Sequence, residues 1–148
     1  MLRNTLFLHC ERSISKTLKD FKNREKDLLL AIGSENKGSA GEKHETGLAM
    51  IQLEREKLGD QLKKVEQFQN LLTPLKIYKK SNNIILGSVV ITNYLSYYIS
   101  FPASPCTIRT KTYYCISAQS PIGSLLLGKK VGDQITFNNK ISIIEGVH

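Results

Sequence analysis

Three glutamates, Glu35, Glu42 and Glu45, fall in one glycine-rich stretch, Gly33-Ser-Glu-Asn-Lys-Gly-Ser-Ala-Gly-Glu-Lys-His-Glu-Thr-Gly47. Grouped carboxylates of this kind cap helix N–H groups, answer a helix dipole, or meet a partner. Lys43 and His44 lie between two of them. Elsewhere the reactive side chains are sparse. The histidines are His9, His44 and His148, and no Ser-His-Asp, Cys-His or glycine-rich phosphate-loop pattern accompanies them. Nucleophilic catalysis is not expected. Cys10, Cys106 and Cys115 are odd in number and lack C-x-x-C spacing, so neither a disulfide framework nor a zinc site is expected. Cys106 and Cys115 read as small packed residues, and a reducing compartment is expected. Tyr94, Tyr97, Tyr98, Tyr113 and Tyr114 read as strand residues. A nucleic-acid stacking platform needs cations beside its rings, and only Arg109 and Lys111 lie close to them in sequence.

The glutamates need a support, and the flanking segments supply one. Gly33, Gly38, Gly41 and Gly47 are dense enough to interrupt a helix. Ser39-Ala-Gly-Glu42 has capping-box spacing and would restart one. Before this stretch, Ile14, Leu18, Phe21, Leu28 and Ile32 repeat at intervals of three and four, with Glu25 in the one polar slot. After it, Leu48, Ile51, Leu58, Leu62, Val65 and Leu72 form a heptad seam, with Arg55 and Gln69 in its polar slots. Thr73-Pro74 ends that helix. Two amphipathic helices joined by a glycine-rich turn pack antiparallel, so residues 1–75 read as a coiled-coil hairpin with its tip at 33–47. At ~1.5 Å per residue, ~30 residues give an arm of ~45 Å. Such a hairpin serves either as a dimerising coiled coil or as a finger that delivers its tip into a cleft.

Residues 76–148 change to period two. Strands are expected over 84–92, with Gly87 at a bulge, over 97–101 and over 108–116, and at Gln134–Phe137 and Lys140–Ile143. Asn138-Asn139 marks a hairpin turn between the last two. Ser120 is a natural N-cap, Pro121 a natural first helical residue, and Gly128 a stop. One short helix therefore interrupts the strands, with Ile122, Leu125 and Leu126 able to cover one sheet face. The fold class is α+β: a helical hairpin followed by a small antiparallel sheet domain.

The net charge of +8 is uneven. Residues 1–74 hold 13 Lys and Arg against 11 Asp and Glu, whereas residues 75–148 hold 8 against 2. The basic half suits an acidic partner, either nucleic acid or protein. The apolar run near the N-terminus is broken by His9 and Cys10 and is too short for a signal core or membrane span. A soluble cytoplasmic protein with no membrane role is expected.

Ser120-Pro-Ile-Gly-Ser-Leu-Leu-Leu-Gly-Lys-Lys-Val-Gly-Asp133, preceded by Ile116-Ser117 and followed by alternating strands, resembles the C-terminal domain of the GreA/GreB family. These are bacterial transcription elongation factors that rescue backtracked RNA polymerase. Their order, an antiparallel coiled coil and then an FKBP-like β domain, matches the order read above and covers nearly the whole chain. The resemblance implies that the tip enters the polymerase secondary channel and that the C-terminal domain docks at its rim. It places Glu42 and Glu45 on the two tip glutamates of the family, with Ser39 where the leading aspartate stands and Thr46 where an aromatic stands. Through them it implies a shared hold on the polymerase's second Mg²⁺, the two-metal arrangement for phosphodiester hydrolysis. Polymerase contacts would then include Glu35, Lys43, His44, Ser120, Pro121, Ile122, Gly123, Lys129 and Lys130, with nucleic acid met indirectly through the transcription complex.

Two versions of this role stay open: a factor that stimulates RNA cleavage, and one that occupies the channel without it. Neither makes the chain an enzyme. Readings of other classes are a peptidyl-prolyl isomerase, suggested by fold analogy alone, and a basic nucleic-acid-binding module.

Overall fold

A computed structural model of the chain describes residues 2–36 and 42–148. Helix α1 runs Leu2–Asn36 and helix α2 Glu42–Leu72, followed by a 3-10 turn at Thr73–Ile77. Six strands and one short helix complete the chain: β1 Val89–Thr92, β2 Ser96–Ile99, β3 Cys106–Ile108, β4 Lys111–Ile116, α3 Pro121–Leu126, β5 Gln134–Phe137 and β6 Lys140–Val147. The chain divides into two compact units. One is Ile14–Gln67; the other joins Met1–Ser13 to Phe68–His148.

The helical unit is built on the expected seams. Along α1, Ile14 and Leu28 are buried, and Leu18, Phe21, Glu25 and Ile32 are half-buried between exposed Lys and Asp residues. Along α2, Leu58 and Val65 are buried, with Leu48, Ile51, Arg55 and Leu62 half-buried. The polar slots at Glu25 and Arg55 therefore sit on the seam as the spacing requires. The Arg24 guanidinium donates to the Glu54 carboxylate, Nε to Oε1 at 3.0 Å. Arg24 lies as far before the end of α1 as Glu54 lies beyond the start of α2, so the two helices run antiparallel. Gly33 and Gly47 do not interrupt them: both fall inside helices. A single glycine costs a helix only ~1 kcal/mol, and packed neighbours at Ile32 and Leu48 outweigh that. Helix therefore covers the expected tip of 33–47 as far as Asn36 and again from Glu42, and residues 37–41 lie outside the described residues. Ser39, and with it the expected capping box, lies outside the described residues.

The sheet unit differs from expectation in three places. Residues 84–88 are a turn, not strand: Gly87 adopts φ +90° and Ser88 N donates to Ile85 O at 3.0 Å. Residues 108–116 are not one strand either. Arg109 takes φ +57° and folds the chain into a β3–β4 hairpin in which Cys106 faces Tyr113. The sheet order is β3-β4-β2-β1-β6-β5. Because β3 occupies the edge, β4 returns beside β2 in the same direction, with Ser96 opposite Tyr113 and Ile99 opposite Ile116. The sheet is therefore mixed, with this parallel pair among antiparallel neighbours.

Asn138 and Asn139 turn β5 into β6 at φ +50° and +62°, the left-handed values that a two-residue hairpin demands. The core joins Ile84, Val90, Tyr97, Ile99, Ile122, Leu126, Ile135, Ile144 and Val147. It includes one residue from α3 on each of its two inward turns, Ile122 and Leu126. Leu125, expected beside them, is exposed.

Candidate functional site

The short helix α3 is the most tightly specified element of the sheet unit. Ser120 Oγ accepts from Gly123 N at 3.1 Å and donates to Ser117 O at 2.6 Å, so one hydroxyl closes both the cap and the turn before it. Pro121 takes the first helical position, where its missing N–H costs no bond. Ile122 points into the core and Pro121 faces outward. A Cβ on Gly123 would lie 2.1 Å from Ser117 O and 2.9 Å from Ser120 Oγ, so only glycine fits under this turn. Gly128, at φ +80°, follows the helix.

Lys129 and Lys130 then hold the strand-like connector. Ile84 N donates to Lys129 O at 2.7 Å, Gly128 N donates to Ile84 O at 2.8 Å, and Lys130 N donates to Asp133 Oδ2 at 2.9 Å. Their backbones are thus structural, and Lys130 is exposed. Beside this segment lies an apolar groove of about 530 Å³, walled by Leu72, Ile84, Leu86, Ala118, Leu127 and Gly128. The structure therefore brings Pro121 and Lys130 to the surface, with Ser120 and Lys129 half-buried, whereas Ile122 and Gly123 are buried.

The remaining candidates belong to the helical unit. Glu45 is exposed in the first turn of α2, and Glu42 begins that helix. The side chains of Glu35, Glu42, Lys43 and His44 lie outside the described residues.

The apolar seams extend past the expected positions at both ends of the helices. The α1 seam continues backward from Ile14 through Cys10, Phe7 and Leu6, all buried. The spacing of Phe7, Cys10 and Ile14 carried that signal, hidden by the polar residues between. At the other end Gln69 is exposed and Phe68 takes its place, meeting Phe101 edge to face at 5.3 Å between ring centroids. Residues 2–13 are fastened to the sheet unit by several bonds. His9 Nε2 meets Ser104 O at 2.8 Å, and the Arg3 guanidinium lies 3.9 Å from the Tyr78 ring centroid.

The same seam brings Cys10 to Cys115. Cys10 Sγ lies 3.1 Å from Ser100 Oγ, and both cysteines are buried. The hydrogen bond from Cys115 draws the Cys10 thiol down to about 7, against the opposing effect of burial. That same bond, together with burial, pushes Cys115 up. The Tyr98 hydroxyl, buried close by, has no hydrogen-bond partner among the described residues, and burial raises it.

No helix among the described residues is long and apolar enough to cross a membrane. No family model matches the chain, and no curated protein matches it. Among solved structures, the chain is similar to GreA factor homolog 1 (Gfh1) of Thermus thermophilus, at 22% identity over 93% of each chain with a TM-score of 0.38. It is also similar to a second structure of the transcription factor Gfh1, at 22% identity over 95% of this chain and 93% of that one, with a TM-score of 0.37.

Proposed function

We propose that this chain is a bacterial, cytoplasmic RNA polymerase-binding elongation regulator of the Gre type. Its helical-hairpin tip would enter the secondary channel, and its sheet unit would dock through the α3 surface. The observation that carries this reading is the agreement between the Ser120-Pro-Ile-Gly123 motif and its geometry. Each residue type is required by a contact: the serine caps, the proline starts, the isoleucine anchors in the core and the glycine admits the Ser117 carbonyl. What remains facing outward is Pro121, Lys130 and the apolar groove, a surface suited to a protein rim.

At the tip, Glu42 and Glu45 would offer two hard oxygen donors on one helix face. Mg²⁺ prefers octahedral oxygen coordination and retains several waters, so two carboxylates fit a shared ion and not an ion held by this chain alone. When bound, that ion supplies charge neutralisation for phosphodiester hydrolysis. The residues of this chain would orient it, while the polymerase performs the chemistry. Lys43 and His44 stand between them in sequence and would lessen the negative potential there, which also supports the channel-occupying version.

A stalled transcription complex tests both versions. Purified chain should co-elute with core polymerase and compete with a known secondary-channel binder; failure to do so rejects the polymerase role. If the chain stimulates cleavage, the extruded RNA shortens in Mg²⁺ and the Glu42→Ala Glu45→Ala variant abolishes the effect while still competing for the channel. Competition without shortening, unchanged in that variant, selects the occupying version.

A further inference from the structure

We propose that the aromatic cleft between Tyr94 and the β5–β6 hairpin binds an unpaired nucleobase together with its phosphate, either as a free nucleotide or as part of a single strand. The cleft encloses about 350 Å³, at the small end of the ~300–1,000 Å³ range of ligand pockets. Tyr94, Tyr97, Tyr114 and Phe137 supply its rings, Asn138 lines it beside them, and Lys140 is the one charged side chain in its lining among the described residues. The three tyrosines are distant in sequence from that cation. The hairpin brings them together, setting Lys140 Nζ 3.2 Å from the Tyr94 ring centroid.

Tyr97 and Tyr114 are register partners on the parallel β2–β4 pair, with centroids 6.5 Å apart. Tyr97 is anchored in the core, whereas Tyr94 is 55% and Tyr114 37% exposed. Tyr114 keeps more than a third of its surface exposed in the lining of the cleft, whereas the Tyr94 ring is capped by Lys140. A planar, polarisable ligand entering the cleft gains stacking on Tyr114 beside that cation. The tyrosines, Asn138 and the buried Ser142 are among the residues lining the same space, and these residue types carry the donors and acceptors that the edge of a base requires.

Charge selects among planar ligands. Among the described residues no carboxylate lines the cleft, and Lys140, packed on the Tyr94 ring, puts a positive charge in its lining. The surrounding half of the chain carries 8 basic residues against 2 acidic ones. A base stacked on tyrosine with its phosphate near Lys140 satisfies ring, edge and charge at once.

The chain has six tyrosines and no tryptophan, and three of the six, Tyr94, Tyr97 and Tyr114, line the cleft, so their share of the tyrosine emission reports on it. The full chain is titrated with UMP, with uridine, and with the oligonucleotide rU12. The expected result is quenching by UMP at lower concentration than by uridine, weakening as salt rises. Tyr114→Ala should weaken UMP binding roughly ten-fold or more, the loss of one base–ring stack. Lys140→Gln should remove the preference for UMP over uridine. Circular dichroism checks that both variants fold; Tyr114→Leu, which keeps the bulk of an exposed strand residue, replaces Tyr114→Ala if that variant does not.

Tighter binding of rU12 than of UMP, lost in the same variants, assigns the site to a strand; equal binding assigns it to free nucleotide. No quenching by either up to millimolar concentration overturns the proposal. Binding of rU12 that follows salt but ignores the Tyr114 and Lys140 variants overturns it too, because it reports the general basic surface. The assay contains no polymerase, so its outcome is independent of the elongation role.

Discussion

Adding one methyl group at position 123 should unfold the sheet unit more readily than removing the cap beneath it. The Cβ of Gly123→Ala would sit 2.1 Å from Ser117 O, 2.9 Å from Ser120 Oγ and 3.1 Å from Ala118 Cα. Restoring even a tight contact at the carbonyl requires about 1 Å of backbone movement, and overpacking of this kind costs roughly 1–3 kcal/mol. The clash is with backbone and not with a flexible side chain, which places it near the upper end. The Ser120 cap is displaced as well, at ~1 kcal/mol. Alanine's better helix propensity returns ~1 kcal/mol. The net loss is about 2–3 kcal/mol, or about 8–20 °C in melting temperature for a unit of this size. Thermal unfolding followed by circular dichroism reads it, with Ser120→Ala as the companion expected to lose only ~1 kcal/mol. If Gly123→Ala melted within about 3 °C of the parent, the steric account of the motif would be wrong.

The opposite outcome is expected at Gly59, a helical position where an added Cβ would meet nothing within 4 Å: Gly59→Ala should stabilise the helical unit by ~0.5–1 kcal/mol, read by urea titration. At the hairpin turn, Asn139→Val places a β-branched residue at φ +62° and should cost ~1–2 kcal/mol, whereas Asn139→Gly should not destabilise. The buried thiols give a pH dependence with a sign. Cys10 sits below its ordinary value of 9.0, so its contribution is fully present above that value and is lost as pH falls through about 7; Cys115 is raised, so stability declines once the unfolded chain ionises above 9. Melting temperature should therefore climb from pH 7 toward 9 and then fall. Cys10→Ser should flatten the climb; an unchanged profile in that variant would remove Cys10 as its source.

The period of the apolar residues was enough to identify two antiparallel helices, because a packed seam leaves a repeat of three and four whatever it packs against. It was also enough for the Ser120-Pro121 helix start and the Asn138-Asn139 turn, since caps and left-handed turns are local and use few residue types. The reach of the helices was not local. Gly33 and Gly47 carry turn propensity, but flanking seam residues decide whether a glycine breaks a helix. The burial of Leu6, Phe7 and Cys10 depended on a sheet that begins some eighty residues later in the chain.

Tertiary structure alone decided strand direction and the neighbours of the reactive groups. Arg109 adopts a left-handed turn without glycine or asparagine to announce it, and that single turn makes β4 run parallel to β2. Pairing across the sheet then sets Tyr114 beside Tyr97, Lys140 over Tyr94 and Cys115 against Cys10. Spacing along a chain determines which face of an element a residue occupies. Which other face it meets is determined only when long-range hydrogen bonding and burial close the sheet.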